Sequence, residues 1–537
     1  MALFDIKNLS FAYPAGKRIL RDVTLTVEQG DFLVLCGPTG SGKTTLLKLL
    51  KPELFPLGEK SGEVLFEGAD INALPPEASC RIGFVQQSPE HQIVTDKVWH
   101  EIAFGMENMC FDKMLMKRRM AEIMSYFSID SQFDTNTSDL SGGQKQMISL
   151  ASVLVMDPKV IILDEPTSRL DPVSASGFLQ TLKKLNDELG LTIIITEHRL
   201  ENVIPLGSKL CVIEDGSVTA LGETKQAIKE ILSNEKIRRS MPGSVQIFHT
   251  LGANGECPLN VPQGRAYLKN NMPQSIRELP EEEQQGGSEM EIKIKNLCLR
   301  YSKNSPDVLN QLNLTVYKNE ILCVLGANGS GKTTLLNAVA NLVTPYAGKI
   351  EIKGKNIKKY RGQELYNNLL AMLPQDVETV FLRSTLQEEF EKAGVDPTDL
   401  PYDLSYAYST HPYDLSGGEQ QLAALAVVLA SKPEILLLDE PTKGLDNGAK
   451  ATLCKALRAL KEKGKTIVIV THDVEFAARC ADRAAMIFRG EITCIETPRR
   501  FFTDNIFYTT SVAKITAGLI EGAVTPEDFE YCAGGGK

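Results

Sequence analysis

One ordered set of signals occurs twice in the chain, and that duplication commits the sequence to two related domains. Gly37 to Thr45 reads GPTGSGKTT, and Gly326 to Thr334 reads GANGSGKTT. LSGGQKQ, from Leu140 to Gln146, returns as LSGGEQQ from Leu415 to Gln421. VIILDEPTSRLD, from Val160 to Asp171, returns as ILLLDEPTKGLD from Ile435 to Asp446. Lys43 and Lys332 stand 289 positions apart, Gln87 and Gln375 stand 288, and Asp164 and Asp439 stand 275. The copies therefore keep register except between the glutamine and LSGG, where the second has lost 13 residues. Repeats this long exclude a solenoid, whose units run to about 20–45 residues. A length of 537 residues also exceeds what one hydrophobic core usually organises.

The expected boundaries are a first domain over 1–240, a linker over 241–290 and a second domain over 291–537 with a C-terminal extension. Asn270 to Met290 carries two prolines, a glycine pair and an acidic run, and reads as an exposed tether. The piece before it, VQIFHTLGANGECPLNVPQGRAYL, has enough apolar residues to pack somewhere.

Within each copy the pattern is α/β. Asp31 to Cys36, Val160 to Leu163 and Leu191 to Ile195 are short apolar runs, as expected of parallel strands buried on both faces. Val23, Leu25 and Val27 alternate with polar residues, which predicts an antiparallel strand with one wet face. Between Asp112 and Phe127, Met116, Met120, Ile123, Met124 and Phe127 share one helical face. That face is expected to pack on its own domain rather than to form a methionine-rich groove.

Composition narrows the function classes. The formal charge of −10 argues against a protein whose main task is gripping nucleic acid. No stretch approaches the ~20 apolar residues a spanning helix needs, and the N-terminus has no secretory pattern. Eleven cysteines without a C-x-x-C pair suit a reducing compartment. A cytoplasmic location is expected.

The chemistry begins with G-x-x-x-x-G-K-T. Glycines let backbone N–H groups curl around phosphates, and the helix that follows aims its positive end at the same anion. Lys43 and Lys332 would reach the terminal phosphates, and the hydroxyls of Thr44 and Thr333 would hold Mg²⁺. Asp164 and Asp439 each end a buried strand, where a metal-holding aspartate belongs. Glu165 and Glu440 follow and can orient or deprotonate an attacking water. Ser141 and Ser416, each followed by two glycines and a helical pattern, read as N-caps and as a second anion-binding helix end.

In this order the signals resemble the ATP-binding cassette (ABC) ATPases over nearly the whole chain. The resemblance implies two tandem P-loop NTPase domains, each with a mostly parallel core sheet, an antiparallel β subdomain and a helical subdomain. It implies ATP and Mg²⁺ as ligands and head-to-tail pairing, so that Lys43 faces Ser416 across one ATP and Lys332 faces Ser141 across the other. The implied ATP-binding residues are Gly37-Pro38-Thr39-Gly40-Ser41-Gly42-Lys43-Thr44-Thr45 with Ser141-Gly142-Gly143-Gln144, and Gly326-Ala327-Asn328-Gly329-Ser330-Gly331-Lys332-Thr333-Thr334 with Ser416-Gly417-Gly418-Glu419. Gln87 and Gln375 would sense the metal and γ-phosphate, Glu165 and Glu440 would be the bases, and His198 and His472 would contact the γ-phosphate. Asp171 and Asp446 would couple the sites across the interface. Tyr13 and Tyr301 look like adenine-stacking aromatics, although an aromatic at a strand end also serves packing. Both copies keep every required group, so two equal hydrolysing sites are expected.

The segment from Gly83 to Asn108, GFVQQSPEHQIVTDKVWHEIAFGMEN, is similar to the region after the glutamine in energy-coupling factor (ECF) importers. Gln92 and the acidic-aromatic stretch beyond it carry that similarity, with TEHRLE at Thr196 to Glu201 and the ending FFTDNIFYTT. The resemblance implies uptake of a vitamin or transition metal ion through a membrane coupling (T) subunit and a substrate-binding (S) subunit. It implies peripheral association with the cytoplasmic side of the cell membrane and no nucleic acid partner. The second copy, LPQDVETVFLRSTLQEEF, lacks the P-x-x-Q spacing, so the halves are expected to touch different surfaces. A duplicated sugar-importer ATPase and a ribosome-acting ABC translation factor are the alternatives. One half of the former is usually degraded, and the latter's linker is basic and helical.

Overall fold

A computed structural model describes residues 2–14, 18–75, 78, 80–168, 170–282, 289–361, 363–395 and 403–534. The chain divides into two compact units, 1–241 and 242–537.

The strands of the first unit are β1 (Ala2–Ala12), β2 (Arg18–Glu28), β3 (Phe32–Cys36), β4 (Glu59–Phe66), β5 (Ala69–Asp70), β6 (Ile82–Val85), β7 (Val160–Asp164), β8 (Thr192–Thr196), β9 (Lys209–Glu214) and β10 (Ser217–Glu223). An antiparallel sheet has the order β2-β1-β4-β5, and the core sheet has the order β10-β9-β3-β8-β7-β6. Its inner strands run parallel, and β10 returns antiparallel along one edge. The apolar runs behave as expected: every residue of β3, β7 and β8 is buried. Along β2, Val23, Leu25 and Val27 point inward while Thr24, Thr26 and Glu28 face water. Both sheets share one core, in which Val34's neighbours Leu33 and Leu35 meet Leu46 and Leu47 of the helix after β3.

Helices Val98–Asn108, Lys113–Tyr126 and Gly142–Leu154 enclose a second core around Ile102, Met106, Met124 and Ile148. Asp112 starts the middle helix by accepting the N–H groups of Met114 (2.8 Å) and Leu115 (3.2 Å). Met116, Met120, Ile123 and Phe127 turn into this core, so the methionine face is packing.

The second unit repeats the plan with β11 (Met290–Leu299), β12 (Leu309–Tyr317), β13 (Ile321–Leu325), β14 (Ala347–Ile352), β15 (Lys355–Asn356), β16 (Leu370–Leu373), β17 (Ile435–Asp439), β18 (Thr466–Thr471), β19 (Arg483–Phe488) and β20 (Glu491–Glu496). The sheet orders are β12-β11-β14-β15 and β16-β17-β18-β13-β19-β20. Its helical part contains Leu386–Ala393 and Gly417–Leu429, with no counterpart of the Lys113–Tyr126 helix among the described residues.

The expected linker 241–290 departs from its description. Helices Gly243–Thr250 and Val261–Asn270 pack against Ser511–Thr516 and Pro526–Cys532 from the chain's end. Ile247 and Leu268 share a core with Val512, Ile515 and Phe529. The two helix pairs are alike: Asn260 caps its second helix at Gln263, and Thr525 caps its own at Asp528. The duplication therefore extends into this region, and its first half is a helical hairpin. Gly243 and Gly264 permit the close fit, since a Cβ on the former would lie 2.4 Å from Ser511 Oγ. Beyond it, Arg277 N–H donates to Cys532 O at 3.0 Å, so the chain follows the second unit before entering 283–288, outside the described residues.

Candidate functional site

Each phosphate loop joins a buried core strand to a helix. β3 leads through Gly37 to Thr45 into Lys43–Lys48, and β13 leads through Gly326 to Thr334 into Lys332–Val339. Gly42 and Gly331, with φ of +97° and +103°, make the sharp entries to these helices. A Cβ there would lie 2.7 Å from Leu20 Cδ2 or 2.9 Å from Leu309 Cδ2, so glycine is required on both counts. Lys43 Nζ donates to Gly37 O (2.8 Å) and Pro38 O (2.9 Å). Lys332 Nζ does the same to Gly326 O (2.9 Å) and Ala327 O (3.0 Å). Both ammonium groups are thereby held over the mouth of their own loop. The buried hydroxyls of Ser41 and Ser330 have no hydrogen-bond partner among the described residues, as suits a loop built around an anion. Tyr13 and Tyr301 share hydrogen bonds with Thr45 (3.3 Å) and Thr334 (3.0 Å), the last residues of the loops.

The carboxylates emerge at the ends of β7 and β17. Thr44 Oγ1 (3.1 Å) and Thr196 Oγ1 (2.8 Å) donate to Asp164 Oδ1. Burial, with the charge of Glu165, pushes the Asp164 carboxyl above its ordinary range. Asp439 is fully buried, and among the described residues no donor reaches either oxygen in good hydrogen-bonding geometry, although Thr333 stands close. Burial pushes Asp439 up to about 6, with Thr333 and Lys332 opposing in part and Glu440 adding to the rise. An unsatisfied buried carboxylate beside a threonine hydroxyl fits a hard divalent cation with oxygen ligands. Thr44 with Asp164, and Thr333 with Asp439, would hold Mg²⁺, which when bound neutralises phosphate charge.

Glu165 and Glu440 adopt left-handed backbone, φ +45° and +49°, at a sharp turn after each strand. His198 Nε2 lies 2.6 Å from Glu165 Oε1, and Gln87 Nε2 donates to Glu165 Oε2 at 2.7 Å. His472 Nδ1 lies 2.8 Å from Glu440 Oε2, which also accepts from Thr471 Oγ1 (3.1 Å) and His472 N–H (3.3 Å). Burial alone would raise the Glu440 carboxyl; His472 and Lys332, 3.8 Å away, reverse that and hold it below the ordinary value. Each unit thus assembles lysine, threonine, aspartate, glutamate and histidine around one loop. Gln87 joins its group. Gln375 is exposed two residues past β16, and among the described residues its side chain makes no hydrogen bond.

The serine-led turns are helix N-termini as expected. Ser141 caps Gly142–Leu154 in a reciprocal box with Gln144, and Ser416 caps Gly417–Leu429 with Glu419. A Cβ at Gly142 or Gly417 would meet nothing within 4 Å, so these backbone faces are open. Gly143 and Gly418 follow in the first turns. Glu419 places a carboxylate where the first unit has an amide, and Tyr406 Oη donates to it. Asp171 caps Pro172–Leu189 through Val173 and Ser174 N–H, and Asp446 caps Asn447–Glu462 through Ala449 N–H at 2.7 Å.

Three groups at these sites have no role in the motif reading: Thr196, Glu197 and Thr471. Glu197 is buried and accepts Thr167 N–H at 2.9 Å, from the turn after Glu165. Burial pushes its carboxyl upward. Aligning TEH before Arg199 with VTH before Asp473 exposes the exchange, but nothing in the letters says where each side chain bonds.

Residues 20–168 and 309–443 match the ABC transporter family. The chain belongs to that family. An ABC transporter ATP-binding protein of Bacillus thuringiensis subsp. konkukian is 38% identical over 544 residues, covering 98% of each chain. One from Streptomyces avermitilis is 31% identical over 557 residues, covering 96% of this chain and 97% of that one. In its complex with ribosomal stalk protein aP1, the archaeal ribosome recycling factor aABCE1 shares the fold over 93% of this chain and 91% of its own, at 20% identity and a TM-score of 0.60. CbiO1 of Clostridium perfringens, part of the ABC transporter complex CbiONQ, aligns with 44% of this chain and 95% of its own at 30% identity and a TM-score of 0.39. The two units are ABC ATPase cassettes, and the ABC protein described here hydrolyses ATP with Mg²⁺. Among the described residues no helix is long and apolar enough to cross a membrane.

Proposed function

We propose that this chain is the energy-coupling ATPase of an ECF-type importer, driving uptake of a vitamin or a transition metal ion. Two ATP molecules bind at a head-to-tail seam, one between Lys43 and Ser416 and one between Lys332 and Ser141. A membrane coupling (T) subunit and a substrate-binding (S) subunit complete the transporter, with the cassettes docked peripherally on the cytoplasmic face.

The observation that carries this proposal is the organisation of the segment from Gln87 to Asn108. Gln92 Oε1 accepts Gln86 N–H (2.9 Å) and its Nε2 donates to Phe84 O (3.3 Å), which fastens the loop bearing Gln87. Buried Glu101 accepts Val94 N–H (3.0 Å), Thr95 N–H (2.9 Å) and Thr95 Oγ1 (3.0 Å). Val94 is exposed between these two fastenings, and Phe104 and Phe133 are exposed beyond them, with Trp99 stacked on His100 (5.1 Å) and on Phe133 (6.2 Å). An ordered aromatic patch joined to the glutamine loop suits docking of an apolar membrane-subunit segment. In the second cassette Glu389 fastens Leu382 and Arg383 in the same way, but the exposed residues are Leu382, Tyr406 and Tyr413. Different patches suit different membrane contacts.

Purification of the tagged chain from detergent-solubilised membranes tests the assignment. Co-purifying integral membrane proteins, lost with Val94→Asp plus Phe104→Asp, are expected. A chain that recovers no membrane protein and sediments with ribosomes contradicts the importer assignment.

A further inference from the structure

The two cassettes differ at two adjacent pairs of aligned positions beside their catalytic glutamates, and those glutamates lie differently. In the strand ladders Asp164 stands opposite Thr196, and Asp439 stands opposite Val470. The residues that follow are therefore equivalent: Glu197 in the first cassette and Thr471 in the second. Both are buried.

Thr471 Oγ1 donates to Glu440 Oε2 at 3.1 Å and draws that carboxylate toward the end of β18, where His472 N–H also reaches it. Glu197 instead accepts Thr167 N–H and ties the end of β8 to the turn after Glu165. Glu165 bonds to Gln87 Nε2 and His198 Nε2, whereas among the described residues Gln375 makes no such contact with Glu440. The backbone does not explain this difference, because Glu165 and Glu440 have nearly the same φ, +45° and +49°. Thr196 adds to it. Its hydroxyl accepts Glu165 N–H at 3.0 Å and donates to Asp164 at 2.8 Å, a bridge that Val470 cannot make.

We infer that Glu197 is a positioning residue for hydrolysis in the first cassette. It fixes the turn after Glu165 and denies that carboxylate the inward donor that Thr471 gives Glu440. Glu165 therefore projects toward Gln87, where an attacking water must be activated, while Glu440 is held back. The first cassette's glutamate supports faster turnover, and the second cassette retains its nucleotide longer. The equal sites expected from the shared motifs become unequal ones. The inference rests on the ATPase assignment and does not depend on the importer proposal.

The test uses the purified full chain, with one glutamate silenced so that the other is read. In an E440Q background, E197Q and E197T each place a donor where Glu197 has an acceptor. Both are expected to lower kcat by about tenfold or more with KM for ATP within about twofold of the parent. In an E165Q background, T471V releases Glu440 and is expected to raise kcat severalfold. Thermal melting accompanies each variant, and E197Q, which can still accept Thr167 N–H, decides the matter if E197T fails to fold. A merely structural role for Glu197 spares E197Q. Parental kcat in E197Q, or unaltered second-site turnover in T471V, overturns the inference. Failure of the importer proposal would instead appear as missing membrane partners, with these kinetic ratios unchanged.

Discussion

His198 Nε2 and Glu165 Oε1 meet at 2.6 Å at the carboxyl ends of the neighbouring strands β8 and β7. If Glu165 serves the attacking water as proposed, this contact couples the histidine to the same chemistry. In an E440Q background, His198→Ala is expected to lower kcat about 10²-fold or more, with a smaller change in KM. Steady-state ATPase assays check this. An unchanged kcat would separate the histidine from the chemistry.

Glycine is required twice over at the loop-to-helix junctions. Gly42→Ala and Gly331→Ala force a Cβ to within 2.7 and 2.9 Å of Leu20 and Leu309 at positive φ. Each is expected to cost about 1–3 kcal/mol of stability and to weaken nucleotide binding. Calorimetric melting of the metal-free, nucleotide-free chain measures the first effect directly.

The lysines hold their ammonium groups on their own loops, through Gly37 O and Gly326 O. Removing one charged donor costs about 1.5–3 kcal/mol. Lys43→Met and Lys332→Met should each weaken ATP at one site by about tenfold to a hundredfold, leaving the other site near its parental affinity. Equilibrium dialysis with labelled ATP resolves the two sites.

Asp439 titrates at about 6 in the fold against an ordinary 3.8, so the folded chain binds its proton more tightly than the unfolded chain does. Its contribution is favourable at low pH, falls as pH rises from about 4 to 6, and remains a cost above that window. Asp439→Asn should therefore stabilise the fold at pH 7.5 without Mg²⁺ or nucleotide, by on the order of 3 kcal/mol at most, and raise its melting temperature. The gain should vanish toward pH 4 and shrink when Mg²⁺ and ATP are added. Melting curves across that pH range check the sign.

The phosphate loops, strand-end carboxylates and capping serines were legible because each is a short motif with its geometry written into local sequence. Gly42 and Gly331 could be nothing else, and Asp164 and Asp439 each close a run of buried apolar residues. The hairpin at 243–270 was not legible as structure. It has enough apolar residues to pack somewhere, but the partners that hold it, Val512, Ile515 and Phe529, come from far along the chain. The helices flanking its turn are also short, so tertiary packing rather than local propensity secures them. Gln87 and Gln375 are the same residue at matching positions, yet among the described residues only the first meets its glutamate. Gln92 fastens the loop of the first, and the second copy has no equivalent P-x-x-Q. Likewise Glu197 and Thr471 differ visibly in sequence, but which partner each chooses depends on the turn after the neighbouring strand.

We propose two ATP sites per chain, one completed on each cassette's phosphate loop. The most direct measurement is the number of ATP molecules retained by the E165Q/E440Q double variant in the presence of Mg²⁺, after rapid removal of free nucleotide. Two ATP per chain is the predicted result. One per chain, or retention that survives replacement of both Lys43 and Lys332 by methionine, would contradict it.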